Sequence, residues 1–309
     1  MRFFSRVPRI DFMSVRKPMM VFAALVTVLS IGLVMARGLA FGLDFTGGVL
    51  IEVSFDGPVE LDPIRSQLAG IGLEGATVQY FGTSSDVMIR AAPDDGADAD
   101  EVSTQIITML SAHVDLTPEL RRVEFVGPQV GDELATDGAL AALFAVIGIL
   151  IYVALRFEWK FALGAITATI HDAVLTLGFF ALFGIEFDLT VLAAILALIG
   201  YSLNDTIVVY DRIRENFIDA RRSNPVDVVN LSVNQTLART IVTGGTTLFV
   251  LCALFFVGGA AVHSFSIALI VGIIVGTYSS VFVASSMVIL LGVTREDMLP
   301  KQEEVDETP

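Results

Sequence analysis

Six long apolar segments constrain the fold most strongly, because about 20 consecutive apolar residues can cross a bilayer as one helix. These segments cover approximately residues 18–39, 138–155, 161–184, 189–210, 235–257 and 264–292. Only 17% of the residues are charged and the mean hydropathy is +0.73, which excludes a soluble globular protein, a disordered chain and a disulfide scaffold. We therefore predict a polytopic α-helical membrane protein with six transmembrane helices.

The negative charge is concentrated between the first and second apolar segments. Residues 41–133 hold 17 acidic and four basic side chains, within a chain of net charge −15. This balance predicts an acidic, water-exposed domain at that position. The predicted segments are an N-terminal segment over 1–17, the first transmembrane helix over 18–39, the inserted domain over 40–134, a five-helix bundle over 135–292 and a tail over 293–309.

Lysine and arginine indicate the orientation in the membrane. Five basic residues precede the first apolar segment, whereas the short connections 185–188 and 258–263 contain no Lys or Arg. Cytoplasmic loops carry the excess of these residues, so both termini are predicted to be cytoplasmic and the inserted domain extracytoplasmic. The first apolar segment is longer than the roughly 7–15 residues of a signal-peptide core, which predicts an uncleaved anchor.

The inserted domain has the sequence pattern of a small α+β fold. Alternation over 49–55 predicts a strand, and Asp62-Pro63 predicts the start of a helix that reaches about Gly70. Segments 76–81 and 86–90 are predicted to form a hairpin around Gly82. A helix to about Ala112 and a strand over 121–126 follow. The order predicts an extracytoplasmic ferredoxin-like (βαββαβ) domain.

Several classes of chemistry are excluded by missing motifs. The three lysines do not follow a glycine, so there is no Walker A loop. The single cysteine, Cys252, allows no intrachain disulfide, and neither zinc-ligand spacing nor a Gly-x-Ser-x-Gly elbow occurs. The acidic domain is a poor partner for nucleic acid. We expect no enzyme activity, no metal and no cofactor, and an ion gradient as the energy source for any work.

Asp205 and Arg239 are ionisable residues inside apolar segments. Asp205 lies seven residues from Arg212, about 10 Å into the membrane, where a central Asp costs about 2.5–3.5 kcal/mol. Arg239 lies about one turn into the fifth span from the same side, so an Asp205–Arg239 pair is possible. Alternatively, Arg239 extends to the cytoplasmic surface, and Asp205 is an inert acid bonded to Asn204 or Thr206.

His171 and Asp172 lie near the middle of the third span. Imidazole titrates near neutral pH, which suits a proton relay, although both residues could instead hold the bundle together by hydrogen bonds between helices. Successive helical residues point about 100° apart, so we expect these two not to face the same place. In the sixth span, Gly272, Gly276 and Ser280 recur every four residues and favour close helix packing over a site.

Three motifs carry a family resemblance. They read L-D-F-T-G-G at Leu43–Gly48, V-G-P-Q-V-G at Val126–Gly131 and G-Y-S-L-N-D-T-I-V-V-Y-D-R-I-R-E-N at Gly200–Asn216. Together with His171-Asp172 and six spans, they make the chain similar to the SecD/SecF family of protein-export membrane subunits, within the resistance-nodulation-division superfamily. The resemblance covers about residues 18–292.

The resemblance implies a function in the bacterial cytoplasmic (inner) membrane. Proteins similar to this pair with SecD beside the SecYEG channel, in some cases with YajC, and use the proton-motive force to draw a translocating unfolded polypeptide outward. It implies proton passage at Asp205 and Arg239, and we expect Asn204, His171 and Asp172 to share this proton-coupling site. Half of a small-molecule or lipid exporter, or a passive membrane scaffold, remain alternatives, and sodium remains an alternative coupling ion.

Asp44, Gly47 and Gly48 form a second candidate at the outer end of the first span. A glycine pair permits backbone conformations that other residues avoid, so the simplest interpretation is a turn that ends the span and directs the first strand. The functional alternative is a hinge or a contact with SecD.

Overall fold

The computed structural model describes residues 7–73, 75–91, 99–113, 117–219, 224–259 and 262–298. The first six residues of the predicted N-terminal segment and the predicted tail beyond residue 298 lie outside the described residues. The chain divides into two compact units: Phe41–Ala141, and Met1–Ala40 together with Ala142–Pro309. We call these the α/β unit and the helical unit.

The elements follow one another along the chain with short connections. The helices are α1 (Arg16–Arg37), α2 (Leu43–Thr46), α3 (Leu61–Gly70), α4 (Ala99–His113), α5 (Pro128–Arg156), α6 (Trp159–Phe183), α7 (Leu189–Asp219), α8 (Pro225–Val257), α9 (His263–Ser279) and α10 (Ser285–Leu290). The strands are β1 (Gly48–Phe55), β2 (Thr77–Phe81), β3 (Thr83–Ala91) and β4 (Pro118–Val126), besides the two-residue strands Ala40–Phe41 and Glu186–Phe187. A π-helical segment, Ser280–Ala284, joins α9 to α10, and 3₁₀ turns cover Met13–Val15 and Glu296–Met298.

Six helices among the described residues are long and apolar enough to cross a membrane, which confirms the predicted architecture. The first to fifth spans contain α1, α5, α6, α7 and α8, and the sixth contains α9, the π-helical segment and α10. The fourth and fifth helices are longer than their apolar segments, because α7 continues to Asp219 and α8 begins at Pro225. Asn224 caps α8 by accepting a hydrogen bond from the backbone N–H of Val226, and Pro225 suits its first position.

The third, fourth and sixth spans are the most buried of the six. Small residues bring the sixth span against the fourth, because a Cβ atom added at Gly272 would overlap the Leu198 side chain. The predicted close packing is therefore confirmed at Gly272 and also at Gly276, where a Cβ atom would lie 3.3 Å from Ser202. Toward the Arg212 end, Phe161 and Tyr210 pack edge to face, and the Tyr210 hydroxyl donates to the carbonyl of Ala284 at 3.1 Å. These contacts fix the rotation of three helices that carry polar side chains.

The α/β unit has the predicted ferredoxin-like topology. Its antiparallel sheet has the order β2-β3-β1-β4, with Ile51 of β1 opposite Ile89 of β3. Ile64 and Leu68 of α3 and Ile106 and Leu110 of α4 are fully buried in the same core. The order of strands and helices, together with the alternation of β1, was therefore sufficient to predict this fold.

The Asp62-Pro63 pair predicts that α3 has Asp62 as its cap and Pro63 as its first helical residue. This start was wrong by two residues, and the predicted cap was wrong. Glu60, in extended conformation, precedes the first helical residue Leu61, so Asp62 is inside the helix and forms an ion pair with Arg65 at 2.7 Å. Pro63 is tolerated here because the N–H groups of the whole first turn lack helical acceptors.

Candidate functional site

Asp205 lies half-buried in the fourth span, and both its carboxylate oxygens accept hydrogen bonds from other spans. Thr240 of the fifth span donates to Oδ1 at 2.7 Å, and Ser280 of the sixth span donates to Oδ2 at 2.7 Å. Hydrogen bonds to an ionised group are about twice as strong as neutral ones. One carboxylate therefore ties three helices together.

Asp172 of the third span is a second carboxylate with the same kind of surroundings, and it is almost fully buried. Its Oδ2 accepts hydrogen bonds from Ser202 of the fourth span and from Ser279 of the sixth span, the latter at 2.8 Å. Its Oδ1 lies 3.0 Å from Nδ1 of His171. Asp172 thus also joins three helices, although a different set of three.

The expectation that His171 and Asp172 do not face the same place was wrong. The angle of about 100° applies to the directions of the Cα–Cβ bonds. Beyond Cβ, each side chain can turn toward the other, and these two meet at 3.0 Å. The other ring nitrogen, Nε2, is buried and has no hydrogen-bond partner within the described residues, while the ring of Tyr278 lies 6.2 Å away between centroids.

Ser279 and Ser280 connect the two carboxylates, and sequence reasoning missed this role. They are consecutive, so their side chains leave the helix about 100° apart and reach Asp172 and Asp205 respectively. The π-helical segment begins at Ser280, and the hydroxyl of Ser285 donates to the Ser280 carbonyl at 2.8 Å. π-Helical turns within α-helices are frequent at functional sites. The available signal was the pair of Ser-Ser dipeptides in an apolar span.

Arg239 does not contact Asp205 in this structure. Its side chain is exposed, and it lines an open cleft of about 440 Å³ together with Asp211, Arg212 and Glu215. No ion pair joins Arg239 to Asp205 among the described residues. The next residue, Thr240, supplies the fifth span's contact with the carboxylate. The Asp205–Arg239 pair stays a prediction, for a different arrangement of these helices.

Asn204 is exposed on the surface of the helical unit. Ser202 and Thr206, two positions before and after it, are buried. The rotation of α7 thus directs Asn204 away from the partners of Asp205. Asp205 accepts hydrogen bonds from Thr240 and Ser280, and not from Asn204 or Thr206 as in the alternative interpretation.

The candidate at Asp44, Gly47 and Gly48 lies within the α/β unit, where the two glycine motifs meet. Asp44 is half-buried in the first turn of α2, and Gly47 ends that helix with φ +65°. Gly48 opens β1 with φ +121°, and a Cβ atom there would lie 2.6 Å from the carbonyl oxygen of Ala91. A Cβ atom on Gly131 would lie 3.0 Å from the backbone nitrogen of Gly47. The packing requires glycine at this turn.

The described residues contain no group of three His, Cys, Asp or Glu side chains arranged as metal ligands. The two carboxylates can accept hydrogen bonds and can take up or release a proton. Asp205, Asp172 and His171 could each hold a proton, and four hydroxyl groups connect the carboxylates to neighbouring helices.

Comparison with known proteins agrees with these motifs. The family described as "Protein export membrane protein SecD/SecF, C-terminal" matches residues 106–294, and the "SecD/SecF GG Motif" matches residues 32–59. The chain is 49% identical over 295 residues to the protein translocase subunit SecF of Vibrio alginolyticus, covering 96% of this chain and 94% of that protein. It is 46% identical over 307 residues to the SecF subunit of Pseudomonas aeruginosa, covering 98% and 99%.

The fold is also similar to a solved structure. The crystal structure of SecDF, a translocon-associated membrane protein from Thermus thermophilus, matches with a TM-score of 0.83 and 36% identity over 92% of this chain. A second SecDF structure, in a super-membrane-facing form, matches with a TM-score of 0.70 over 94% of this chain. The chain spans 39% of the length of each SecDF chain.

Proposed function

The chain belongs to the SecD/SecF family as a translocase subunit of the SecF type, and we propose that it couples the proton-motive force to a late stage of polypeptide translocation. In this proposal the energy enters at Asp205. The product of the coupling is movement of a secreted polypeptide across the membrane rather than a chemical reaction.

The proposed partners are SecD, the SecYEG channel, the translocating unfolded polypeptide and, in some assemblies, YajC. The 0.83 TM-score against SecDF supports pairing with SecD, because this chain matches one part, 39%, of the SecDF chain. The first span carries few buried residues in the single chain, which is compatible with further protein or lipid contacts.

The proposed location is the bacterial cytoplasmic membrane, with both termini in the cytoplasm. The absence of Lys and Arg from the sequence of the connections 185–188 and 258–263 supports this orientation. The α/β unit would then face outward, where a translocating chain emerges. Its acidic composition suits an aqueous compartment and not a lipid one.

A proton arriving at Asp205 would change the hydrogen bonds that hold three helices. The ionised carboxylate only accepts, whereas the neutral acid also donates, so protonation weakens the hydrogen bonds from Thr240 and Ser280 and adds a donor that needs an acceptor. A charge-assisted hydrogen bond is worth about 1.5–3 kcal/mol, and the gradient supplies about 2.3 kcal/mol per charge per 100 mV. The two energies are similar, so the gradient can bias the arrangement.

Arg239 would act as the counter-charge of Asp205 in a second arrangement of the helices, in which Thr240 no longer contacts Asp205. It adjoins Thr240 in the fifth span, so a movement that separates Thr240 from Asp205 would also change the approach of Arg239. His171 and Asp172 would supply a proton relay beside Ser202 of the fourth span. The α/β unit is joined by the chain to the first and second spans and would receive the movement through them.

The observation that carries the proposal is the double hydrogen bond of Asp205, which makes one titratable group the meeting point of three spans. The test is Asp205→Asn in the assembled SecD-containing complex. Export into inverted membrane vesicles would be measured with the proton and sodium gradients collapsed separately.

Asp205→Asn should preserve assembly and abolish the stimulation of export by the proton gradient. The matched control is Asp211→Asn. Asp211 lies in the same helix, and its exposed carboxylate lies 3.3 Å from the guanidinium group of Arg156. Normal proton-dependent stimulation in Asp205→Asn would refute the assignment. If stimulation is lost only when the sodium gradient is collapsed, the coupling ion is sodium and not the proton.

A further inference from the structure

The hydroxyl groups of Ser279 and Ser280 each have two acceptors within reach. Ser279 lies 2.8 Å from Oδ2 of Asp172 and 3.1 Å from the carbonyl of Gly276 in its own helix. Ser280 lies 2.7 Å from Oδ2 of Asp205 and 3.1 Å from the carbonyl of Thr277. A hydroxyl carries one proton, so it can be donated fully to only one of the two acceptors.

The charge on each carboxyl decides which acceptor is favoured. An ionised carboxylate attracts the hydroxyl proton more strongly than a backbone carbonyl does. When the carboxyl is protonated, the serine can turn its own proton to the carbonyl of the preceding turn and accept from the acid instead. Each serine therefore changes its bonding partner with the protonation state of its carboxyl, and the pull between that serine and the carboxyl changes with it.

The two serines are mechanically linked because they are neighbours on one backbone. Ser280 is the first residue of the π-helical segment, and its carbonyl is held by the hydroxyl of Ser285. A rotation or shift of this turn that weakens the bond of one serine must also move the other. The neighbouring contacts leave little slack, because a Cβ atom on Gly276 would lie 3.3 Å from Ser202 and 3.5 Å from Oδ2 of Asp172.

Few other titratable groups face these carboxylates. His171 contacts Asp172 from the same helix, and Tyr278 of the sixth span lies against the His171 ring. Tyr201 precedes Asp205 by one helical turn, and Arg239 lies in the exposed cleft beyond Thr240. The contacts between the third and fourth spans at this level include the hydrogen bond of Ser202 to Asp172.

We infer that Ser279 and Ser280 are positioning residues that make the protonation of Asp172 and that of Asp205 interdependent, through the π-helical turn of the sixth span. The inference rests on the proposed function for its role in export, although interdependence of the two acids can be measured without transport. In this inference, the sixth span links the protonation state of Asp172 in the third span to that of Asp205, which is held between the fourth and fifth spans.

The test follows the protonation of Asp172 by infrared difference spectroscopy of the reconstituted SecD-containing complex. The carboxyl C=O band of Asp172 is identified by its loss in Asp172→Asn. Ser280→Ala removes no hydrogen bond of Asp172, yet it should shift the titration midpoint of that band by about 0.5–1 pH unit, which lies within the range of coupling carried by a hydrogen-bond network. Ser279→Ala should correspondingly shift the band identified by its loss in Asp205→Asn.

Ser286→Ala is the matched control, because Ser286 is equally buried in the same helix and its hydroxyl has no partner within the described residues. It should leave both midpoints unchanged. Ser280→Cys keeps nearly the same volume with a weaker donor and should give a smaller shift than Ser280→Ala. An Asp172 band that titrates identically in Ser280→Ala and Ser286→Ala would overturn the inference.

The two proposals fail in different experiments. If Asp205→Asn retains proton-dependent export, the proposed function is wrong even where the infrared bands are coupled. If Asp205→Asn loses stimulation while Ser279→Ala and Ser280→Ala each shift only their own carboxyl, the function stands and the coupling through the serines is wrong.

Discussion

Ser280 donates a 2.7 Å hydrogen bond to Asp205 from the first residue of the π-helical segment, where the regular hydrogen-bond pattern of the sixth span changes. The bond joins the irregular part of one helix to a titratable group on another. A change of charge at Asp205 therefore acts on the turn of the sixth span where α-helical hydrogen bonding changes to π-helical. This relationship makes the sixth span part of the candidate site.

Thr240→Val should weaken coupling while preserving the size of the side chain. It removes one of two donors to Asp205, and a hydrogen bond to a charged group is worth about 1.5–3 kcal/mol. The stimulation of export by the proton gradient should fall by at least about tenfold at a fixed gradient, as such an energy implies. Thr240→Ser keeps the hydroxyl group and should retain most of the stimulation of export by the proton gradient. Equal activity of the valine and serine variants would contradict this role of Thr240.

Gly272→Ala should destabilise the helical unit. The added methyl group would overlap the side chain of Leu198, which is fully buried and would have to shift within packed surroundings, and overpacking of this kind costs about 1–3 kcal/mol. The measurement is the thermal unfolding midpoint in detergent. Gly200→Ala, where the methyl group would meet open space, should be neutral or slightly stabilising. Leu198→Ala in the Gly272→Ala background should recover part of the packing loss, and no recovery would show that the overlap is not the cause.

Gly48→Ala should destabilise the α/β unit more than Gly82→Ala does. Both glycines have positive φ, so both substitutions introduce backbone strain, but only the Gly48 methyl group would approach a backbone oxygen, that of Ala91. Hydrogen exchange of β1 and β3 in the full-length protein measures the difference. If export falls in Gly48→Ala while protection of the strands is unchanged, the hinge alternative is favoured over a structural turn.

The stability of the α/β unit should depend on pH through Asp86. Hydrogen bonds from Ser54 and Thr83, both 2.6 Å, hold the pKa of the Asp86 carboxyl below its usual range. Because the pKa is lowered by folding, the stabilisation is complete above the unfolded pKa of about 3.9 and is lost as the pH falls through the folded value.

Ser54→Ala should therefore lower the protection of β1 and β3 at neutral pH, and its difference from the unsubstituted protein should shrink at acid pH. Hydrogen exchange corrected for its intrinsic pH dependence measures this effect. Ser66→Ala removes an exposed hydroxyl from α3 and is the control. A difference that stays constant from neutral to acid pH would exclude Asp86 as the cause.

Much of the fold could be predicted from the sequence because it depends on local patterns. An apolar stretch of sufficient length forms a spanning helix wherever it packs, and the order of strands and helices in the insert limits its topology to a few arrangements. Helix ends were less predictable. The α7 and α8 helices continue beyond the apolar region because polar residues also form helix in water.

The sequence by itself identified Asp205, Asp172 and His171, because each is costly in an apolar span and must find a partner. It did not identify the partners. Serine and threonine can satisfy their hydroxyl groups on the carbonyl of the preceding turn of their own helix, so their presence in a span does not show which other group they bind.

Only the tertiary structure decided which hydroxyl groups reach which carboxylate, because this depends on the rotation of each helix about its axis. That rotation buries Ser279 and Ser280, exposes Asn204, and leaves Arg239 in the cleft while its neighbour Thr240 contacts Asp205. It is set by packing between helices, such as Gly272 against Leu198, and no property of a single span determines it.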